Sequence, residues 1–148
     1  MGITTIIFDW GNTLMRDFPD QPGAMAHWPV VEVMPGIEDL LKEVSGKYTL
    51  CVATNAGVSD TALMEEALKR VGLHKYFQYF FSSKDLGYSK PDPRFFLAIA
   101  AQMDVLPMEC LMIGNDPEKD IRGAKTAGMK TILYDETASE FLMLAVHR

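Results

Sequence analysis

A chain of 148 residues is long enough for one domain that buries roughly two-thirds of its unfolded surface, and needs no second. Twenty acidic against 14 basic residues give a net charge of -6, which argues against nucleic-acid backbone or anionic membrane as partner, because counterion release needs a cationic face. No apolar run approaches the ~18 residues of a membrane span, and the start "MGITTIIFDW" has no basic segment of a secretory signal; a cytoplasmic protein is expected.

Five short apolar runs, near residues 3–8, 48–53, 78–82, 110–113 and 130–134, have strand length and are bounded by turn or cap residues. The first ends at Asp9 in "FDWGNT". Segment 14–34 has three prolines, no helical period and weak strand character, and reads as a loop or flap beside a site. After Pro35 and Gly36 the spacing of Ile37, Leu40, Leu41 and Val44 predicts an amphipathic helix stopping at Gly46. The second run ends at Thr54 and Asn55 in "VATNAG"; a helix follows, capped by Ser59 or Asp60 and closed at Gly72. The aromatic cluster "YFQYFF" from Tyr76 reads as core. Lys90 in "YSKPDP" follows the third run by a loop, held extended by the next proline. Asp92 then caps a helix with Pro93 in its first turn, and Asp116 with Pro117 repeats that design in "IGNDPEKDIRGAK". The tail 135–148, with "FLMLAV" from Phe141, is left open between core and subunit contact. Cys51 and Cys110 lie inside apolar runs and read as buried free thiols.

Strands alternating with crossover helices imply an α/β fold: a doubly wound, mostly parallel, Rossmann-like sheet with helices on both faces, in a single domain spanning 1–148. Ligands of such sheets sit at the carboxyl ends of the strands, where Asp9, Thr54, Asn115 and Asp116 all fall.

Each of these residues has a plain and a chemical reading. Asp9 is a turn residue or a nucleophile facing free backbone donors. Thr54 and Asn55 form a capped turn or an anion-binding nook of hydroxyl and backbone N–H groups. Lys90 is a solvated loop lysine or a point charge for a phosphate. Asp116 and Asp120, at i and i+4, are a cap and a first-turn acid, or two carboxylates relieved by a magnesium ion, which takes oxygen ligands and keeps several waters.

In this order and spacing, "FDWGNT", "VATNAG", "YSKPDP" and "IGNDPEKDIRGAK" resemble the haloacid dehalogenase-like (HAD) hydrolase superfamily from Ile3 to about Tyr134. The resemblance implies a Mg2+-dependent phosphomonoester hydrolase. Asp9 would form an aspartyl-phosphate, with the metal held by Asp9, the Gly11 carbonyl and Asp116, and Asp120 in or beside that shell. Thr54 and the Asn55 backbone would bind phosphoryl oxygens, and Lys90 would hold nucleophile and phosphate. Two departures stand out. Gly11 occupies the place of the usual acid–base aspartate, a function worth about 10²- to 10⁴-fold, which implies either a slow enzyme or substitution by Asp17, Asp20 or His27; and "GND" replaces the commoner "GD", putting Asn115 ahead of Asp116. Neither family cap position has room for a cap domain. By resemblance this suggests an open site for a bulky or macromolecular phosphorylated substrate, or one closed by a second subunit in a homo-oligomer. Gly11 also favours an alternative: a catalytically weak HAD-like domain that binds a phosphorylated ligand or a protein partner.

Overall fold

Strand β1 (Thr5–Phe8) is buried along its whole length, as a strand covered by helices on both faces must be. The computed structural model describes residues 2–55, 57 and 60–147. Among them β1 is the centre of a five-stranded sheet with β2 (Thr49–Thr54), β3 (Tyr79–Ser82), β4 (Cys110–Gly114) and β5 (Lys130–Leu133). The order is β3-β2-β1-β4-β5 and every pairing is parallel.

The period-2 alternation of the strands divides the core. Ile6, Phe8, Leu50, Val52, Leu111 and Ile113 face one side, packed with the apolar stripes of α1 (Ile37–Val44) and α2 (Thr61–Arg70). Ile7, Cys51, Ala53, Cys110 and Met112 face the other, under α4 (Pro93–Gln102) and α5 (Gly123–Thr126). Phe95 and Phe96 of α4 are fully buried there, each contributing roughly 1.5–3 kcal/mol. This is the doubly wound arrangement that the alternation of elements implies. Both cysteines are free and buried; burial raises the Cys51 thiol well above its ordinary value and the Cys110 thiol to about 11, so neither is a nucleophile.

The helix starts follow their caps. Asp60 accepts the Leu63 N–H at 2.9 Å and Asp92 the Arg94 N–H at 2.9 Å. Ser59, the other candidate cap of α2, lies outside the described residues. Phe77 and Phe81 of the aromatic cluster are core, whereas Tyr79 is exposed. Among the elements not expected from the sequence are the single-turn helix α3 (Ser83–Leu86), inside the loop leading to Lys90, and a π-helical turn (Pro117–Arg122) ahead of α5. In the tail, Leu142 of α6 (Leu142–Val146) packs into the first core while Phe141 and Leu144 stay exposed.

Segment 14–34 has one 3-10 turn, Met25–His27, and otherwise irregular backbone. It is nevertheless packed down. Leu14, Met15, Met25, Trp28 and Met34 are buried, and its two ends are laced together by Arg16 N–H to Glu32 O at 2.8 Å and Met34 N–H to Leu14 O at 2.9 Å. Arg70 of α2 holds the turn by donating to the carbonyls of Ala26 at 3.0 Å and Trp28 at 2.6 Å.

Candidate active site

The parallel register sets Phe8 level with Val52 on one side and Ile113 on the other, so the chain leaves β1, β2 and β4 along one rim. Between β1 and β4 the strand order reverses direction, the switch point at which open α/β sheets bind ligands. Asp9 emerges on one side of it, its N–H bonded to Ile113 O at 2.9 Å, and Asn115 and Asp116 emerge on the other.

Lys90 is buried, 6% exposed, and its ammonium lies 2.7 Å from Asp9 Oδ1 and 2.8 Å from Asp120 Oδ1. A solvated loop lysine is thereby excluded. The other Asp9 oxygen, Oδ2, accepts from the Thr13 hydroxyl at 3.0 Å; oriented to satisfy its neighbours, the Asn115 amide donates to the same oxygen at 2.8 Å and to Gly11 O at 3.3 Å. The Asp9 carboxylate is thus fixed from both ends while its edge faces a cavity.

Asn55 positions the lysine. Its side chain accepts the Lys90 N–H at 2.8 Å and donates to the Lys90 carbonyl at 3.1 Å, so β2 carries a clamp for a loop 35 residues further on. The sequence reading assigns the Asn55 backbone to phosphate and misses this side-chain role. Thr13 is missed too, although a hydroxyl four residues after Asp9 in the tight "DWGNT" turn is the available signal.

The acidic pair departs from the expected arrangement. Asp116 caps its helix, Oδ1 accepting from Glu118 N–H and Lys119 N–H, both at 2.9 Å. In the wide π turn the Asp116 carbonyl accepts from both Asp120 N–H at 3.0 Å and Ile121 N–H at 3.3 Å, and Asp120 is turned inward, 1% exposed. Both Asp120 oxygens are held by protein donors, Lys90 Nζ on Oδ1 and Asp116 N–H on Oδ2 at 3.1 Å. The cation paired with Asp120 in this structure is Lys90.

Two glycines permit this packing. A Cβ at Gly114 would fall 2.4 Å from the Asp120 side chain, and one at Gly123 would fall 2.6 Å from the Pro91 carbonyl, so neither position admits a larger residue without displacing the lysine loop or its partner.

Asp9, Thr54, Lys90 and Asp116 all line one open cavity of about 370 Å³, together with Gly11, Asp17, Asn55, Asn115, Lys119 and Asp120. Its walls hold four carboxylates against two ammonium groups. A phosphate dianion would meet net repulsion there unless a divalent cation came with it. Hard oxygen donors suited to magnesium are present in Asp9, Asp116 and the Gly11 carbonyl; among the described residues no group of three carboxylate, imidazole or thiol side chains forms a cage, so water would complete the shell.

Burial alone would lower the Lys90 ammonium, but Asp9 and Asp120 outweigh it and the net shift is upward: the lysine stays charged. Asp120 is pushed up to about 6, by burial first and by the charge of Asp9 second, against the opposing pull of Lys90.

Residues 6–134 match the family described as haloacid dehalogenase-like hydrolase. The phosphoserine phosphatase of Thermus thermophilus is 37% identical over 102 residues, 68% of this chain and 40% of that protein. The fructose-1-phosphate phosphatase of Escherichia coli is 31% identical over 69% of this chain and 52% of its own length. The chain spans about half or less of these curated relatives. Among solved structures, an uncharacterized protein from Listeria monocytogenes serotype 4b superposes with a TM-score of 0.80 at 26% identity, covering 90% of this chain and 79% of that one. A HAD hydrolase from Bacillus subtilis, described as bound to magnesium, shares the fold at a TM-score of 0.70 and 16% identity over 90% of this chain and 87% of its own. With its sheet order, its Asp9–Lys90–Asp120 chain of contacts and a family match over most of its length, this chain belongs to the haloacid dehalogenase-like hydrolases.

Proposed function

We propose that the chain hydrolyses phosphomonoesters through an aspartyl-phosphate on Asp9, with Mg2+ as cofactor. The observation that carries the reading is Asp9 itself, held by Lys90 on one oxygen and by Thr13 and Asn115 on the other at the edge of a cavity lined by Thr54, Asn55 and Asp116. An Asp9 oxygen attacks phosphorus as the bond to the substrate alcohol breaks; water then attacks the same phosphorus, releasing phosphate and regenerating Asp9. The Thr54 hydroxyl and the Asn55 backbone receive phosphoryl oxygens, while Lys90 offsets charge between Asp9 and the phosphate. Magnesium, held by Asp9, Asp116 and the Gly11 carbonyl, would neutralise charge on the transferring group.

Asp17 supplies the proton transfers that Gly11 cannot. A Cβ at Gly11 would lie 3.8 Å from the Asp17 Cβ, so an acid at residue 11 and the Asp17 side chain would start from neighbouring points. Asp17 also lines the cavity, which Asp20 and His27 do not, and its N–H is held by Asn12 Oδ1 at 2.9 Å. The buried thiols fit a reducing compartment, and we place the enzyme in the cytoplasm.

Phosphate release from 4-nitrophenyl phosphate, with and without Mg2+, is the test. Metal-dependent turnover abolished by Asp9→Asn supports the reading, as does a phosphoryl group trapped on the Asp9 peptide. The second reading, a binding domain without turnover, is favoured by Gly11 alone and would show phosphate or phosphonate binding with no release above the Asp9→Asn background.

A further inference from the structure

Beside the catalytic cavity, and sharing Gly11, Asp17, Thr54 and Asn55 with it, lies a second one of about 260 Å³ whose outer wall is Trp10, Met25 and Trp28. Nothing in the phosphoryl chemistry uses this wall. From its shape and lining we infer that it is the subsite for the substrate's alcohol, and that this alcohol carries one flat, uncharged ring close to the phosphate; the inference rests on the phosphatase reading and names its substrate class.

Three observations lead there. The first is position: the two cavities share Gly11, Asp17, Thr54 and Asn55, so the alcohol of a phosphate set against Asp9 is within reach of the second cavity. The second is size and chemistry. A cavity of about 150 Å³ already accepts benzene, and 260 Å³ falls short of the 300 Å³ or so at which pockets for drug-sized ligands begin. One ring and its linker fit. Trp10 and Trp28, 6% and 7% exposed, both line this cavity, and an aromatic lining suits a planar ring. Asp17 on the shared wall disfavours a second negative charge on the alcohol.

The third is rigidity. Trp28 is held by its indole N–H donating to Gly23 O at 3.1 Å, by Arg70 on its carbonyl, and by an edge contact with Phe18 at 6.2 Å between centroids. The wall is therefore built before any ligand arrives, and the indole cannot fall into the space beside it.

The chain has two tryptophans and both are in this wall, so indole fluorescence reads its occupancy directly. The test titrates the full chain in Mg2+ with phenylphosphonate, methylphosphonate and 4-carboxyphenylphosphonate by calorimetry, and follows tryptophan emission for phenylphosphonate. Asp9-dependent turnover of 4-nitrophenyl phosphate is measured in parallel. Phenylphosphonate is expected to bind at least tenfold more tightly than methylphosphonate and to change the emission, and the added carboxylate is expected to remove most of that advantage. Trp28→Leu should narrow the ratio; the ligand series gives the same answer without it should that variant fold poorly. Equal affinity for phenyl and methyl, or binding that leaves the emission unchanged, overturns the subsite while turnover keeps the phosphatase reading intact. Absence of both turnover and phosphonate binding overturns the two together.

Discussion

The Asn55 side chain grips both backbone polar groups of Lys90, accepting its N–H at 2.8 Å and donating to its carbonyl at 3.1 Å. A residue at the end of β2 thereby sets the position of an ammonium that touches Asp9. Asn55→Ala removes both bonds and leaves two half-buried backbone groups without them. It should cost about 1–3 kcal/mol in urea denaturation and lower kcat at least tenfold, the latter because Lys90 is no longer held against Asp9. Stability loss with unchanged kcat would show that the clamp is structural only.

Lys90→Met leaves two carboxylates facing each other across the space of the missing ammonium. Removing one partner of a buried charge cluster typically costs about 3–5 kcal/mol. Adding Asp120→Asn should recover part of that loss, because the surviving negative charge then belongs to Asp9 alone, at the cavity edge and 9% exposed. Additive single-variant losses would mean that the three groups are not energetically linked.

A pH dependence follows from Asp120, whose carboxyl is raised from 3.8 to about 6 by burial and by Asp9. The folded state binds its proton more tightly than the unfolded chain does. The stability this group contributes is therefore present below about pH 4 and lost as pH rises through about 6. In metal-free buffer the wild-type urea midpoint, taken relative to that of Asp120→Asn, should fall between pH 4 and pH 6.5 (about half a unit past the folded value) and level off above. A difference independent of pH would rule this out.

Asp17 and Gly11 form a test pair. Asp17→Asn should lower kcat by about 10²-fold or more. A Cβ at residue 11 meets nothing nearer than Asp17 Cβ at 3.8 Å, and Gly11→Asp should restore turnover to Asp17→Asn while changing the wild type less. Should Asp17→Asn match wild-type kcat, with Gly11→Asp alone accelerating it, Asp17 has no part in proton transfer.

Most of the architecture is legible in the chain because local signals agree. Ile6 and Phe8 against Ile7 give the alternation that splits the core, Asp60 and Asp92 cap where an N-cap acid should, and three of the four site segments fall at strand ends. What stays hidden depends on backbone path. Asp116 and Asp120 read as a facing pair under ordinary helical spacing, and only the wide turn separates them into a cap and a buried counter-charge. Likewise the Asn55 clamp joins residues 35 apart, and no spacing rule points to it. Segment 14–34 reads correctly as irregular, but its many buried contacts, Trp28 above all, are tertiary and leave no period in the sequence.

Gly114 stands at the end of β4 with the Asp120 side chain occupying the volume its own would fill. Positions 90, 114 and 120 are therefore bound to a shared fate: a methyl group gained at 114 evicts the acid, and an evicted acid strands the lysine. Drift at any of the three is tolerable only if the other two change with it, so this trio should pass through descent as a single inherited character.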